Sequence, residues 1–376
     1  MAISKLTIEE FLSLSKEHPV LDVRSPGEYA HAHIPGAHSF PLFSDEERKV
    51  VGTAYKQENK QKAIKLGLEY FGVKMVKMVE EVEQIVASRQ PAIGSKENGS
   101  PLPANNCLLV HCWRGGMRST GVAWLLDLYG FKVYTLVGGY KVYRKWVLQQ
   151  FEKEYPIHIL GGYTGSGKTE LLQALLKKKQ SVIDLEGLAH HKGSAFGSLG
   201  QPAQPSQEMF ENLLARELKL TDDRGKITES NNCHLSAAIW LEDESQRIGN
   251  VNIPTPFFHQ MRNKKIYFVN IPFEERLNFI VRNYGAFEKE KLVNAIIRIK
   301  KRLGGLETKT AINYLIEDNV KGCFEVLLNY YDKQYLKGLQ NREDLASLYN
   351  KIEVVTVADE TNAMQLLSFV QKEKVI

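Results

Sequence analysis

The chain has 376 residues, of which 43% are hydrophobic and 25% are charged, so a soluble globular protein with two α/β domains is expected. No apolar run approaches the ~18–20 residues that a membrane span needs. The N-terminus lacks the basic-then-apolar pattern of a secretory signal. We therefore expect a cytoplasmic protein without a membrane partner, and its net charge of +5 permits an RNA partner without requiring one.

In the first part of the chain, short apolar runs alternate with helical patterns, which predicts a parallel α/β sheet. The predicted strands lie at residues 19–24, 108–111 and 132–136. A helix is predicted from Ser119 to Tyr129, with Gly130 as its C-terminal signal. Residues 93–106 are rich in Gly, Ser, Asn and Pro and are typical of a surface loop.

A second α/β domain is predicted to follow. We place the first domain at residues 1–145, a connector helix at 146–155 and the second domain at 156–376. The strands of the second domain are predicted at 157–160, 181–184, 237–241, 265–270 and 352–357. A helical segment from about 274 to 348 precedes the last of these strands, and a closing helix follows it.

The first strongly chemical motif is His111-Cys112-Trp113-Arg114-Gly115-Gly116-Met117-Arg118-Ser119, between a predicted strand and a predicted helix. A helix N-terminus, Arg114 and Arg118 should lower the pKa of Cys112, and Arg118 can close over a bound oxyanion. We predict Cys112, Arg114 and Arg118 as catalytic residues. Such a site suits a sulfur or selenium adduct on Cys112, or an attacked phosphate. The four cysteines show neither Cys-x-x-Cys nor zinc spacing, so no metal site is predicted.

The second motif has the Walker A pattern in a strand–loop–helix context. Backbone N–H groups and Lys168 would hold a di- or triphosphate, and Thr169 would hold Mg²⁺ if a metal is used. Three carboxylates are candidates for the acidic partner: Asp184, Glu242 and Asp243. The motif leaves ATP, GTP and a prenyl diphosphate as possible ligands. The predicted phosphate-binding residues are Gly162, Gly165, Ser166, Gly167, Lys168 and Thr169.

The first domain resembles the rhodanese family. The similarity is carried by residues 21–29, 33–37 and 136–140 together with the cysteine motif. The resemblance implies a parallel-sheet fold and a loop cysteine that carries sulfur or selenium, with Asp22, Arg24 and Glu28 holding loops together. The spacing from Cys112 to Arg118 is one residue longer than in thiosulfate-using rhodaneses and matches cell-cycle dual-specificity phosphatases, so a phosphatase remains open.

A rhodanese-like parallel-sheet domain followed by a P-loop NTPase-like α/β domain with a helical C-terminal part resembles the bacterial tRNA 2-selenouridine synthase family. Outside the two motifs the resemblance extends to residues 48–57, 190–207 and 242–250. It implies that wobble 2-thiouridine in tRNA becomes 2-selenouridine through an S-geranyl intermediate. Geranyl diphosphate and selenophosphate would be co-substrates, and no tightly bound cofactor is expected.

Basic residues suggest where the anticodon region of tRNA would bind. His190 and His191, in a Gly/Ser-rich loop, are a further candidate pair for the second site. The candidate tRNA contacts are Arg48, Lys49, Lys56, Arg298, Lys301 and Arg302.

Two other functions are compatible with the motifs alone. One is a phosphatase coupled to a P-loop kinase, which would require the Cys112 thiol on an aryl phosphate. The other is a non-catalytic module switched by a nucleotide, which would not require that thiol.

Overall fold

The structure is a computed structural model that describes residues 3–88, 106–230, 238–357 and 359–373, without the side chains of 223–230 and 359. The chain divides into two compact units, Met1–Gln149 and Gln150–Ile376. Residues 93–105 of the predicted surface loop and residue 237 of a predicted strand lie outside the described part. No helix within the described ranges is both long and apolar enough to cross a membrane.

The first unit is built on a five-stranded sheet in the order β1-β5-β4-β2-β3, with every pair parallel. Leu21 of β2 lies opposite Val110 of β4, and both side chains are buried, as is Phe131. The three predicted strands are present, and two short edge strands add to them. The strands are β1 (Ser4–Leu6), β2 (Val20–Asp22), β3 (His38–Ser39), β4 (Cys107–His111) and β5 (Lys132–Leu136).

Seven helices accompany this sheet in the described part of the first unit. The predicted helix at 119–129 begins two residues earlier, and Gly130 ends it in the left-handed conformation at φ 114°. The helices are α1 (Ile8–Leu14), α2 (Pro26–His31), α3 (Asp45–Gln57), α4 (Lys60–Gly72), α5 (Met75–Ser88), α6 (Met117–Tyr129) and α7 (Gly139–Gln150).

Residues 48–57 lie within α3, the first of three consecutive helices between β3 and β4. A capping box starts α3, because Ser44 accepts from the Glu47 N–H while the Glu47 side chain accepts from the Ser44 N–H. Met78 and Val82 of α5 are buried in the core of the unit. Helix α5 therefore connects this group of three helices to the hydrophobic core of the first unit.

The second unit contains a five-stranded parallel sheet in the order β12-β11-β6-β8-β7 and a separate antiparallel hairpin, β9–β10. The phosphate motif follows the central strand β6, where the ends of neighbouring parallel strands also meet. The strands are β6 (Ile157–Gly161), β7 (Ser181–Val182), β8 (Ile239–Glu242), β9 (Arg247–Ile248), β10 (Val251–Asn252), β11 (Ile266–Asn270) and β12 (Tyr349–Glu353).

The second unit's helices include the predicted helical segment, which is divided into five helices, α12 to α16. Leu277, Leu292, Leu315 and Phe324 form part of one buried cluster between them. The helices are α8 (Lys168–Lys177), α9 (Leu185–Ala189), α10 (Gln207–Ser230), α11 (Thr255–Arg262), α12 (Phe273–Tyr284), α13 (Lys289–Leu303), α14 (Gly305–Ile316), α15 (Val320–Gln340), α16 (Leu345–Leu348) and α17 (Asp359–Glu373).

Two predicted boundaries differ from the structure. The connector predicted at 146–155 is the end of α7, which stops at Gln150 because Phe151 and Tyr155 turn into the second unit and pack on Phe257. The last strand lies earlier than predicted, because pairing with β11 ends where Glu353 faces Asn270. Val355 then points into solvent with 79% of its surface exposed.

Candidate active site

Cys112 follows β4 directly and is buried at the base of the loop that leads into α6. The Gly116 N–H points at Sγ at 3.3 Å, and the Ser119 hydroxyl lies 3.2 Å from the same sulfur. Gly139 lies against the back of the loop at φ 60°, and a Cβ there would lie 2.3 Å from the Cys112 carbonyl oxygen. Only glycine allows this close approach, which fixes the loop from behind.

The pKa of the Cys112 thiol is lowered in this setting. Burial by itself would raise that pKa, but the Ser119 hydroxyl and the backbone N–H groups of Ser119, Arg114 and Gly116 outweigh it. The predicted direction agrees with this result. The predicted cause differs in part, because backbone donors and a hydroxyl stabilise the thiolate, and sequence reasoning gave Ser119 no role.

Arg118 is engaged by Glu28, whose Oε2 accepts from Arg118 Nη1 at 2.7 Å. Arg48 of α3 lies on the same carboxylate at 3.4 Å. Burial alone would raise the pKa of Glu28, but its hydrogen bond and charge pairing with Arg118 bring that pKa down to about 2. Glu28 therefore joins α3 to the start of α6. Arg48 was predicted only as a tRNA contact, so its pairing with Glu28 was not expected. Arg114, which was predicted as a catalytic residue, is exposed.

Behind this loop lies a buried ion pair. Arg24 Nη2 donates to Asp22 Oδ2 at 2.5 Å and to the Ala32 carbonyl at 2.7 Å, and its guanidinium lies 3.8 Å from the centre of the Tyr140 ring. Asp22 and Arg24 are almost fully buried. These contacts agree with the expectation that both residues hold loops together.

The phosphate motif forms a turn between β6 and α8. Gly167 starts α8 in the left-handed conformation at φ 66°, and the Lys168 ammonium donates to the Gly162 carbonyl at 3.1 Å. Gly165 has φ 83°, and a Cβ there would lie 2.9 Å from both the Arg276 carbonyl and the Ile280 side chain. The loop thus lies directly against α12, with Ser166 buried and Lys168 half-buried.

The three predicted acidic partners have other contacts. Asp184 caps α9 by accepting from the Gly187 N–H at 2.7 Å. Glu242 is buried, accepts from the Leu185 N–H at 3.1 Å, and has a pKa raised well above its usual value by burial and then by Asp184. Asp243 accepts from Tyr335 at 2.7 Å and pairs with Arg342.

Glu186 and Glu244 are the carboxylates that approach the lysine, and sequence reasoning missed both roles. Thr169 Oγ1 donates to Glu186 Oε2 at 3.3 Å. Burial is the largest cause raising the pKa of each, and Lys168 counteracts it. Each glutamate follows a predicted candidate by two residues. The signal available was therefore only the position of both glutamates just after the predicted strands at 181–184 and 237–241.

The oxygens of Thr169 and Glu186 suit Mg²⁺, which binds through one or two carboxylates together with substrate phosphates. With a diphosphate present, these two residues would hold the ion and its charge would stabilise the leaving oxygens. Among the described residues, no group of three or more His, Cys, Asp or Glu side chains is arranged to hold a metal by itself.

A cavity of about 350 Å³ opens from the phosphate loop. Lys168, Glu186, Glu244 and Lys192 lie in its lining beside the phosphate loop. The rest of the lining is mixed, with polar residues such as Asp243, Arg262, Asn283 and Gln334 and an apolar part. The apolar lining comes from the loop after α9 and from helices α12 and α15. It comprises Phe196, Phe279, Ile280, Tyr284, Phe324, Leu327, Leu328 and Leu339.

The remaining predicted residues are distributed over the surface. Lys49, Lys56, Arg298, Lys301 and Arg302 are exposed. The His190 ring nitrogen Nδ1 donates to the Ala203 carbonyl at 2.9 Å, and the pKa of His191 is lowered, first by burial and then by Arg298. Neither histidine is among the residues that line the cavity.

Comparisons with known proteins agree across both units. The family model described as the tRNA 2-selenouridine synthase AAA domain matches residues 155–364, and the rhodanese-like domain matches residues 7–145. These matches and the two parallel sheets confirm the predicted fold class.

Several similar proteins carry the name tRNA 2-selenouridine synthase. The one from Bdellovibrio bacteriovorus is 32% identical, covering 91% of this chain and 94% of its own length. Those from Shewanella piezotolerans and a Sulfurovum species are 33% and 35% identical, each covering 81% of this chain and 81% and 80% of their own. A solved N-terminal domain from Clostridium difficile 630 is 36% identical, covers 39% of this chain and 99% of its own, and has a TM-score of 0.33.

Proposed function

Because the chain belongs to the tRNA 2-selenouridine synthase family, we propose that it replaces sulfur by selenium at a wobble 2-thiouridine of tRNA in two steps. In the first step geranyl diphosphate alkylates the 2-thio sulfur. In the second step selenium from selenophosphate displaces the geranylated sulfur. The donors, the intermediate and the contact with the anticodon region are parts of this proposal.

The observation that carries the proposal is a cavity that joins the phosphate loop to a cluster of apolar side chains. Lys168 and the backbone N–H groups of the loop suit a diphosphate. The lining also contains Ile280, Leu327 and Leu328, which suit a hydrocarbon chain. A diphosphate that carries an apolar tail matches both parts of this lining.

The first step requires stabilisation of the departing diphosphate. The sulfur of 2-thiouridine forms a bond to C1 of the geranyl group while the C1–O bond breaks and its electrons pass to the diphosphate. The base then loses its N3 proton to solvent. Lys168 is placed to offset the charge that develops on the phosphate oxygens, since its ammonium lies on the loop itself. The product carries sulfur as a thioether, which leaves far more readily than a thiocarbonyl sulfur.

The second step suits the cysteine loop. A selenium nucleophile adds to C2 of the base, the C2–S bond breaks, and geranylthiol leaves with a proton. Water hydrolyses the selenium–phosphorus bond to give phosphate. The Cys112 site supplies backbone N–H groups and the Ser119 hydroxyl around a soft sulfur atom, a setting that holds an anionic chalcogen.

Mass spectrometry of tRNA nucleosides tests this function. A tRNA with wobble 2-thiouridine is incubated with the protein and geranyl diphosphate, with or without selenophosphate. We expect S-geranyl-2-thiouridine when selenophosphate is omitted and 2-selenouridine when both donors are present. Selenouridine formed at full yield without any prenyl diphosphate would exclude the geranylated intermediate. ATP in place of geranyl diphosphate serves as the matched control and should give neither product.

A further inference from the structure

The loop that follows α9 returns to the carboxylates beside the phosphate loop. Gly193 in this loop has φ 58°, and a Cβ there would lie 2.9 Å from Glu186 Oε1 and 2.8 Å from Glu244 Oε2. The other oxygen of Glu186 accepts from the Thr169 hydroxyl at 3.3 Å. The backbone at Gly193 is therefore separated from the phosphate loop by one carboxylate.

Lys192, the residue before Gly193, extends from this backbone into the cavity lining. Its own backbone N–H donates to the Gly197 carbonyl at 2.9 Å, which ties the loop together. The Lys192 ammonium lies 5.9 Å from the centre of the Tyr284 ring on α12, and Tyr284 also lines the cavity. The side chain thus runs beside the phosphate loop from the loop after α9 toward α12.

The Lys192 ammonium is not neutralised by a carboxylate. Across the part of the chain that the structure describes, it has no ion pair, and its side-chain contact is the Tyr284 ring. Arg262, another cation of the lining, is engaged, because it donates to the Gly338 carbonyl at 2.9 Å and lies 3.9 Å from Asp243. The N–H donors of Lys192 are therefore available to an anionic ligand.

A diphosphate beside two glutamates requires more positive charge than one lysine supplies. Lys168 already acts on both Glu186 and Glu244. A prenyl diphosphate brings further negative charge into the same space, and the charge on its bridging oxygen grows while the C1–O bond breaks. A cation that is already in place lowers the barrier, because little reorganisation is needed when this charge develops.

We propose that Lys192 is a second diphosphate ligand, whose ammonium donates to the oxygens of the prenyl donor and stabilises the departing diphosphate. This inference rests on the proposed function of the same cavity and adds a catalytic residue to its first step. The electron pair of the C1–O bond passes to the diphosphate, and Lys192 keeps its protons throughout. A charge-assisted bond to a phosphate oxygen is stronger than the contact with the Tyr284 ring.

Kinetics of geranylation together with ligand binding test this role in the full chain. The formation of S-geranyl-2-thiouridine would be measured for the wild-type protein, Lys192→Ala and Lys192→Arg. Calorimetric titration with inorganic diphosphate reports binding of the anion without turnover. Lys333→Ala is the matched control, because Lys333 is an exposed lysine of α15 that lies outside the cavity lining.

We expect Lys192→Ala to lower kcat by about tenfold or more with a smaller change in KM, because the contact strengthens as the diphosphate departs. The same variant should bind inorganic diphosphate more weakly than the wild-type protein. Lys192→Arg should retain most of the activity because it keeps the charge, and Lys333→Ala should behave as wild type.

Wild-type kcat and wild-type diphosphate affinity in Lys192→Ala would overturn the inference and leave the proposed function standing. Equal losses in Lys192→Ala and Lys192→Arg would also overturn it, because they would show that the loop needs the lysine for its shape. So would a flatter salt dependence of tRNA binding with unchanged diphosphate affinity, since Lys192 would then contact the tRNA backbone. A wild-type protein that neither binds geranyl diphosphate nor forms the geranylated nucleoside would overturn the proposed function and this inference with it.

Discussion

At the scale of single residues, the cysteine site depends on neutral donors placed around one sulfur atom. Ser119 lies on the first turn of α6, seven residues after Cys112, so that its hydroxyl returns to Sγ at 3.2 Å. The arginines that stand out in the sequence contribute differently, since Arg118 is held by Glu28. Thiolate stability in this loop is therefore set mainly by hydrogen bonds to the charged form.

Replacing Ser119 by alanine should raise the pKa of the Cys112 thiol. The hydroxyl favours the thiolate, so its loss moves thiolate formation to higher pH and slows alkylation by iodoacetamide near neutral pH. The rate of Cys112 alkylation as a function of pH gives the pKa directly. Thr120→Ala is the control, because that exposed hydroxyl bonds to the Gly116 carbonyl at 3.3 Å. Equal pH profiles for wild type and Ser119→Ala would contradict the assignment.

Lys168→Ala should lower the rate of geranylation. Its ammonium offers a charge-assisted contact to phosphate oxygens worth about 1.5–3 kcal/mol, which corresponds to a loss of about ten- to a hundredfold in kcat/KM. The formation of S-geranyl-2-thiouridine by the variant measures this loss. Lys177→Ala, an exposed lysine at the far end of the same helix, should leave the rate unchanged. Wild-type kinetics in Lys168→Ala would place the donor elsewhere.

At the scale of elements, the sequence was most informative where a motif joined a strand to a helix. The strands before Cys112 and before Gly162 and the helices after them could be predicted, because apolar runs and glycine turns are local signals. Edge strand β1 has three residues and edge strand β3 has two, which is too few to show the hydrophobic pattern of a strand. Glu186, the carboxylate beside Thr169, was missed because its approach to the phosphate loop depends on how β7 pairs in the sheet. A strand of two residues gives no sequence signal for that pairing.

Helix α3 adds a prediction about tRNA. Lys49 and Lys56 are exposed on α3, whereas Arg48 is paired with Glu28 and serves the cysteine loop. Replacing Lys49 and Lys56 together by glutamine should flatten the slope of log affinity against log salt by roughly 1.5 units if each contacts one phosphate. Filter binding of tRNA at several salt concentrations measures the slope.

The slope should change equally for substrate tRNA and for tRNA without the 2-thio group, because phosphate contacts do not read the base. The pair Lys177 and Lys178, at the last residue of α8 and its C-cap, offers a control double variant with the same change of charge. An unchanged slope in the Lys49 and Lys56 variant would mean that these two lysines face solvent and do not contact tRNA.

At the scale of the whole molecule, the two steps of the proposed reaction use different units. The thiol lies in the unit Met1–Gln149, and the phosphate loop and its cavity lie in the unit Gln150–Ile376. Each unit has its own parallel sheet and its own buried core. A change of one side chain in one unit should therefore leave the local structure of the other site intact.

Cys112→Ser consequently should abolish incorporation of selenium while geranylation continues. The serine oxygen replaces the soft, readily ionised sulfur, whereas Lys168 and the cavity are untouched. With both donors present, the variant should accumulate S-geranyl-2-thiouridine, which nucleoside mass spectrometry detects. Lys168→Ala gives the opposite pattern, with little geranylated nucleoside and with selenouridine restored when pre-geranylated tRNA is supplied. A folded Cys112→Ser protein that loses both steps would show that the first step also depends on the thiol.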